Sequence, residues 1–172
     1  MVCFLIGLCV SLGLSARSFS HPGILHSQEA LERMAGLVKN EVWPAVGSYR
    51  LLRSEPEASP AYAVKGPFRY ISRAGKYGYT KAPCEDDFNA AYYNALLWAV
   101  TGDRKHADKA MEIIRAYAGT LERVCPGDAP LCAGLQGFIL VNAAEIMRYT
   151  YTAEEFSGGW SDEDTRQTGR IF

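Results

Sequence analysis

This chain has almost no net charge, only three histidines, and no cysteine or histidine spacing of the kind that holds a metal. Its 18 Lys and Arg are balanced by 19 Asp and Glu, for a formal net charge of −1. That balance excludes a general electrostatic hold on nucleic acid or on an anionic membrane. A polyanionic partner would have to be met by a few well-placed cations. Neither CxxC nor HxxxH occurs, so no metal site is expected, and nothing in the chain implies a cofactor. Low-complexity tracts are missing, as is any sustained strand-like alternation, which points away from a sheet-based fold.

What is present is apolar and aromatic. Hydrophobic residues make up 48% of the chain, with 10 Tyr, 7 Phe and 3 Trp, enough for one domain with a sizeable core. The opening stretch Met1–Ala16 is too short to span a bilayer comfortably and is followed by small residues, as in a secretory signal peptide. Cleavage is expected between positions 16 and 20, leaving 21–172 as the mature domain, secreted to the extracellular space (or the periplasm of a bacterium) and free of the membrane. Cys3 and Cys9 would leave with the leader. In an oxidising compartment, Cys125 and Cys132 close a short Pro- and Gly-containing loop and are expected to form a disulfide, with Cys84 left over.

The mature chain reads as helices. Ser27 is placed to cap a first helix running to about Lys39, with Leu31, Met34, Leu37 and Val38 on one face. Trp43-Pro44 interrupts it, and a second stretch covers about 45–52. Residues 54–80 hold three of the eight prolines and show no period, which predicts a long loop, functional by its aromatic content. Asp86-Asp87 then precede a helix from Phe88 to Val100. Gly102 suits a left-handed stop and Asp103 a fresh cap for a helix from Arg104 to about Val124. A third long helix is expected over about 133–149. Ser161 to Asp164 resembles a capping box for a final helix that the chain end at Phe172 interrupts. The class is all-α, built of antiparallel helical hairpins.

Four blocks carry a resemblance. They are His21-Pro-Gly-Ile-Leu-His26; the run from Ala90 through Tyr92, Tyr93 and Trp98 to Gly102-Asp103; Ala107 to Ala110; and the run from Ala133 through Gln136 and Asn142 to Arg148. In this order they resemble the alginate-lyase domain family, (α/α)-toroid polysaccharide lyases that act on uronic-acid polymers. The resemblance implies an incomplete toroid, the N-terminal part of such a domain, lacking most of the catalytic residues because the family keeps these mostly in the second half of its ring. The implied partner is an acidic polysaccharide, cleaved by β-elimination.

That reaction needs donors that neutralise a uronate carboxylate and a Tyr or His that moves the C5 proton. The resemblance makes Gln136 a subsite residue. Asn142 on the same helix is its expected companion in the groove, while Glu145 falls on the opposite side of an ideal helix; the alternative is that Asn142 bonds a helix–helix contact and Glu145 pairs with Arg148. Asn94 and Trp98 share a face one turn apart, and Arg73 in the long loop could clamp a carboxylate bidentately. The expected substrate face is therefore Gln136, Asn142, Asn94, Trp98 and Arg73. Tyr92 fits the core stripe, His21 and His26 are expected to hold structure, and His106 to be solvated. No base is assignable, so the chain by itself is expected to show no turnover. Two other readings compete. One is a tetratricopeptide-like scaffold, although the hairpin over 90–118 has no second copy at about 34 residues. The other is an (α/α)-barrel glycoside hydrolase using Asp86, Asp87 or Glu145.

Overall fold

The computed structural model describes residues 19–125 and 129–171. All but the last two residues of the expected signal peptide, with Cys3 and Cys9, lie outside the described residues. The described residues are 65% helical and 4% strand, so the all-α class holds.

Helix α1 (Gln28–Lys39) starts where Ser27 accepts a hydrogen bond from the Ala30 amide at 3.1 Å, and it buries Leu31. Helix α2 (Ala45–Ser54) follows Pro44 and packs on α1. Helix α3 (Lys81–Thr101) ends at Gly102, whose φ of 70° is the left-handed conformation that glycine adopts freely. The Asp103 side chain then accepts from the Lys105 amide to start α4 (Arg104–Thr120), which folds back onto α3. The stop and restart stand as expected. A short α5 (Ala129–Cys132) leads through a wide π turn (Ala133–Gly137) into α6 (Phe138–Thr150). Helix α7 (Asp162–Thr168) carries a complete capping box between Ser161 and Asp164. Arg115 of α4 grips Asp164 through two bonds of 2.7 and 2.8 Å, tying α7 to the body.

Two boundaries differ from expectation, both for tertiary reasons. Helix α4 stops at Thr120 and not near Val124. The backbone beyond it is claimed by the long loop: the Glu122 amide donates to Arg69 O at 2.9 Å and the Cys125 amide to Ile71 O at 2.8 Å. The result is a two-stranded parallel ribbon, β1 (Tyr70–Ile71) beside β2 (Arg123–Val124). At the other boundary, α3 begins seven residues before Phe88, so Asp86-Asp87 lie in its second turn and are not its cap.

Helix α3 is surrounded. It packs against α1, α4, α6 and a 3-10 turn at Pro56–Ala58, and buries Phe88, Ala90, Ala91, Ala95, Leu97 and Trp98. Alanines at 90, 91, 95, 107, 110 and 143, all fully buried, let α3, α4 and α6 approach closely. Within this core lies a carboxylate. Asp87 is 0% exposed and its oxygens accept four bonds, from Tyr62 Oη (2.8 Å), Lys65 N (2.9 Å), Gly66 N (2.8 Å) and Tyr117 Oη (2.7 Å). Four donors satisfy a buried charge that would otherwise be strongly unfavourable. Gly66 is required at its place, because a Cβ there would run into the Tyr117 hydroxyl and sit 3.1 Å from the Asp87 carboxylate.

Replacing Asp87 by Ala strands two tyrosine hydroxyls and two amides away from water. The expected loss is at least about 3 kcal/mol in urea unfolding, since each stranded donor costs roughly 1–3 kcal/mol. A loss under about 1 kcal/mol would show that the loop is held by other contacts.

Candidate functional site

The long loop is pinned at two places. Asp87 holds residues 62–66, and the β1–β2 pairing holds 70–71. Beyond β1, the Ser72 amide donates to Thr80 Oγ1 at 3.1 Å, and that hydroxyl donates to Tyr77 O at 2.7 Å, closing the 3-10 turn Gly75–Thr80 onto the ribbon. Arg73 is thereby aimed at the junction of α3 and the π turn. Its Nη1 donates to Glu85 Oε1 at 3.2 Å and, over a longer 3.4 Å, to Gln136 Oε1. Gln136 Nε2 donates to Glu85 Oε1 at 2.7 Å, and Lys81 Nζ reaches Glu85 Oε2 at 3.2 Å.

This cluster joins a loop, a helix start and a π turn, the last a frequent mark of functional positions. Its chemistry is that of a carboxylate holder. Glu85 and Gln136 engage only Nη1 of Arg73, and among the described residues Nε and Nη2 have no partner. That leaves the fork-shaped edge which matches a carboxylate bidentately. The Arg73 side chain is 21% exposed. The space enclosed beneath it is about 10 Å³, no more than a water. A saccharide would therefore lie over the cluster, not within it.

Of the expected substrate face, then, the structure brings Arg73 and Gln136 together and places the other three elsewhere. Asn94 is fully buried, and its amide donates to Glu57 O (3.0 Å) and Ala90 O (2.9 Å) while its oxygen accepts from His106 Nδ1 (2.7 Å). It clamps the 3-10 turn at Pro56–Ala58 and the start of α4 to α3. Trp98 is buried with its Nε1 on Thr150 Oγ1 at 3.0 Å and its ring edge-on to Tyr151 and Phe156. Asn142, 2% exposed, turns back onto Phe138 O at 2.8 Å. None of the three presents a free donor to a groove.

Further expectations are corrected. The Cys125–Cys132 bridge is not formed: Cys84, Cys125 and Cys132 are all buried thiols. Cys125 is drawn to the ribbon, whereas Cys132 turns toward α3 and shares a small space with Cys84. Burial and the neighbouring Cys132 push the Cys84 thiol far above its ordinary value, so it stays protonated and unreactive. Glu145 pairs with His21 Nδ1 at 2.7 Å and with the Gly23 amide, not with Arg148, fastening the N-terminal segment to α6. His106 is not solvated but half-buried on Asn94. Asp87, shut away with four donors, is no general acid. His26 and Tyr92 hold structure as expected. His26 Nε2 lies 2.6 Å from Tyr92 Oη, and burial pushes that phenol up to about 12.

Sequence reasoning missed Glu85 and Lys81. Their i, i+4 spacing was the available signal, obscured by starting the helix at Phe88. No family model, curated protein or solved structure matches the chain.

Two expectations follow. Asn94→Ala leaves His106 and Glu57 O unsatisfied and is expected to cost about 2–3 kcal/mol in urea unfolding; a change under about 0.5 kcal/mol would remove Asn94 from this structural role. Burial lowers both His26 and His106 from the ordinary 6.5. A ring with a lowered pKa in the folded state takes up its proton more readily in the unfolded chain. Its contribution is therefore complete above the unfolded value and is lost as pH falls through 6.5 toward the folded value. Stability is expected to drop between about pH 7.5 and pH 5.5, with the drop flattened in His26→Gln/His106→Gln. An unchanged slope in that double variant would assign the effect to other groups.

Proposed function

We propose that this chain is a polysaccharide-lyase-type domain that holds uronic-acid polymers for β-elimination, on an (α/α) toroid of helical hairpins. The observation that carries the reading is the Arg73 guanidinium, oriented by Glu85 and Gln136 with its Nε and Nη2 edge unpaired among the described residues. Removing the C5 proton of a uronate builds charge on the adjacent carboxylate, and oriented donors lower that barrier most when they are fixed beforehand. Arg73 is such a donor, and Gln136 positions it by accepting from its Nη1. Loop, ribbon and helix hold them through contacts that need no substrate.

Two further features support the reading. The α3–α4 pair with α6 packed across it is the kind of unit from which a ring of hairpins could be built. Leu131, Leu135 and Phe138 are each about half exposed along α5, the π turn and α6, which is the kind of apolar row on which a neighbouring helix of a ring packs. A secretory leader would deliver the domain to where such polymers occur.

The proton-transfer group is not assigned to this cluster. Among the described residues no Tyr or His hydrogen-bonds to Arg73, Glu85 or Gln136, so the set binds and neutralises but does not move the proton. The test is calorimetric titration of the 172-residue chain with oligomers of mannuronate, guluronate and glucuronate, beside an ultraviolet assay for unsaturated uronate ends. Binding without sustained turnover is expected. Arg73→Lys and Gln136→Ala should each weaken binding about tenfold, the worth of one charge-assisted hydrogen bond. Saturated reducing ends from the chain would replace the lyase reading with a hydrolase. Equal affinity for neutral oligosaccharides would remove the uronate from it.

A further inference from the structure

The ribbon that aims Arg73 has a second face. Side chains alternate along an extended segment, so Ile71 turns toward the core and Tyr70 the other way; Arg73 reaches Gln136, and the buried Ser72 borders both sides. The partner strand obeys the same rule: Val124 joins Ile71, whereas Arg123 and Cys125 lie beside Tyr70 and Ser72. The outward face, closed at its far side by Lys76 and Tyr77 of the 3-10 turn, forms a cavity of about 540 Å³. That volume lies in the ordinary range for small-molecule sites.

The lining is specific. The rings of Tyr70 and Tyr77 lie 5.2 Å apart, and Lys76 Nζ sits 5.2 Å from the centre of the Tyr77 ring. Glu122 also borders the cavity, but its carboxylate is taken by Arg69 Nε at 2.6 Å and receives the Tyr70 hydroxyl at 3.3 Å. Arg123 and Lys76 have no carboxylate partner among the described residues. The cavity therefore offers two cations that form no ion pair among the described residues beside two phenol rings, while the Tyr70 hydroxyl is bonded to Glu122 and the Ser72 hydroxyl to Ala74 O. Cations without acid partners select for an anion, and aromatic surface beside them selects for one with an apolar body, such as a pyranose ring.

We propose that this cavity is a second saccharide site, which takes a short acidic stretch of the polymer on the face of the ribbon opposite Arg73 and Gln136. Lys76 and Arg123 meet the carboxylates, and Tyr70 and Tyr77 meet the sugar rings. The inference rests on the uronan reading and extends it. The domain grips its polymer at two places set back to back on one ribbon, and the outer grip is independent of the donors at Gln136.

The test is titration of the 172-residue chain with a uronate tetrasaccharide, followed by nuclear magnetic resonance shifts and by calorimetry. Arms contain Arg123→Ala, Lys76→Ala, Tyr77→Ala and Gln136→Ala, with circular dichroism to verify folding. Arg123 and Lys76 are exposed, so their truncation leaves the core untouched. The expected result is a binding event that moves Tyr70 and Tyr77 resonances, weakens about tenfold on losing either cation, as for one charge-assisted bond, and persists in Gln136→Ala. Binding abolished by Gln136→Ala but indifferent to Arg123→Ala and Lys76→Ala would overturn the second site and leave the uronan reading standing. Absence of any uronate binding would overturn both. Equal binding of a neutral tetrasaccharide, or equal displacement by inorganic phosphate at matched ionic strength, would overturn the acidic-saccharide assignment while keeping the cavity as a plain sugar or anion site.

Discussion

A carboxylate with no exposure to water is tolerable only if protein donors replace its hydration, and Asp87 meets that condition through residues from two other parts of the chain. Tyr62, Lys65 and Gly66 come from the long loop and Tyr117 from α4, while Asp87 itself stands on α3. The loop is thus anchored to the hairpin before it reaches the ribbon. Pairing with β2 then fixes Tyr70 and Ile71, and the bonds to Glu85 and Gln136 settle which way Arg73 points. Burial and the bond to Asp87 push both phenols, Tyr62 and Tyr117, well above their ordinary values, so they remain donors at any physiological pH. The position of the candidate site is a consequence of that anchor.

The second constraint is the enclosure of α3. A helix touched on nearly every side has few positions to spare for a ligand, and its polar residues must be satisfied internally. Asn94 and Trp98 have the types and spacing of a sugar-binding pair, but they are consumed by packing: one clamps the start of α4, the other bonds Thr150 at the end of α6. The first turns of α3 emerge near the loop, where Lys81 and Glu85 meet Arg73 and Gln136. The candidate site therefore lies at the margin where loop, helix start and π turn meet.

Features written in local chemistry were legible in the amino-acid sequence. Ser27, Gly102, Asp103 and the Ser161 capping box each act over three or four residues, and all lie where they were expected. Arg73 and Gln136 also emerged, one from its place in an aperiodic loop, the other from the resemblance. What stayed hidden depended on partners far along the chain. Nothing near Val124 says that α4 must end early, because the competing acceptors are Arg69 O and Ile71 O. Nothing near Asp87 distinguishes a helix cap from a buried anchor, because the difference lies in Tyr62 and Tyr117. The Cys125–Cys132 spacing allowed a bridge, but the bonding of Cys125 to the ribbon and the inward turn of Cys132 were not encoded in the loop between them.

A chain with a net charge of −1 can still recognise a polyanion, because recognition depends on which donors remain unused and not on the sum of charges. Over residues 65–81 and at 123 the chain concentrates Lys65, Arg69, Arg73, Lys76, Lys81 and Arg123. Asp86 takes Lys65, Glu122 takes Arg69, and Glu85 takes Lys81 and one nitrogen of Arg73. These pairs are exposed or half-exposed and add little to stability individually, but they subtract cations from the surface selectively. The remainder is the free edge of Arg73 on one face of the ribbon and Lys76 with Arg123 on the other. Salt screens exposed charges beyond about 8–10 Å, so such a surface gives little long-range attraction. On the proposed reading its selectivity is exerted at contact, where a carboxylate on a pyranose ring would meet the unused donors and the adjoining phenol rings together.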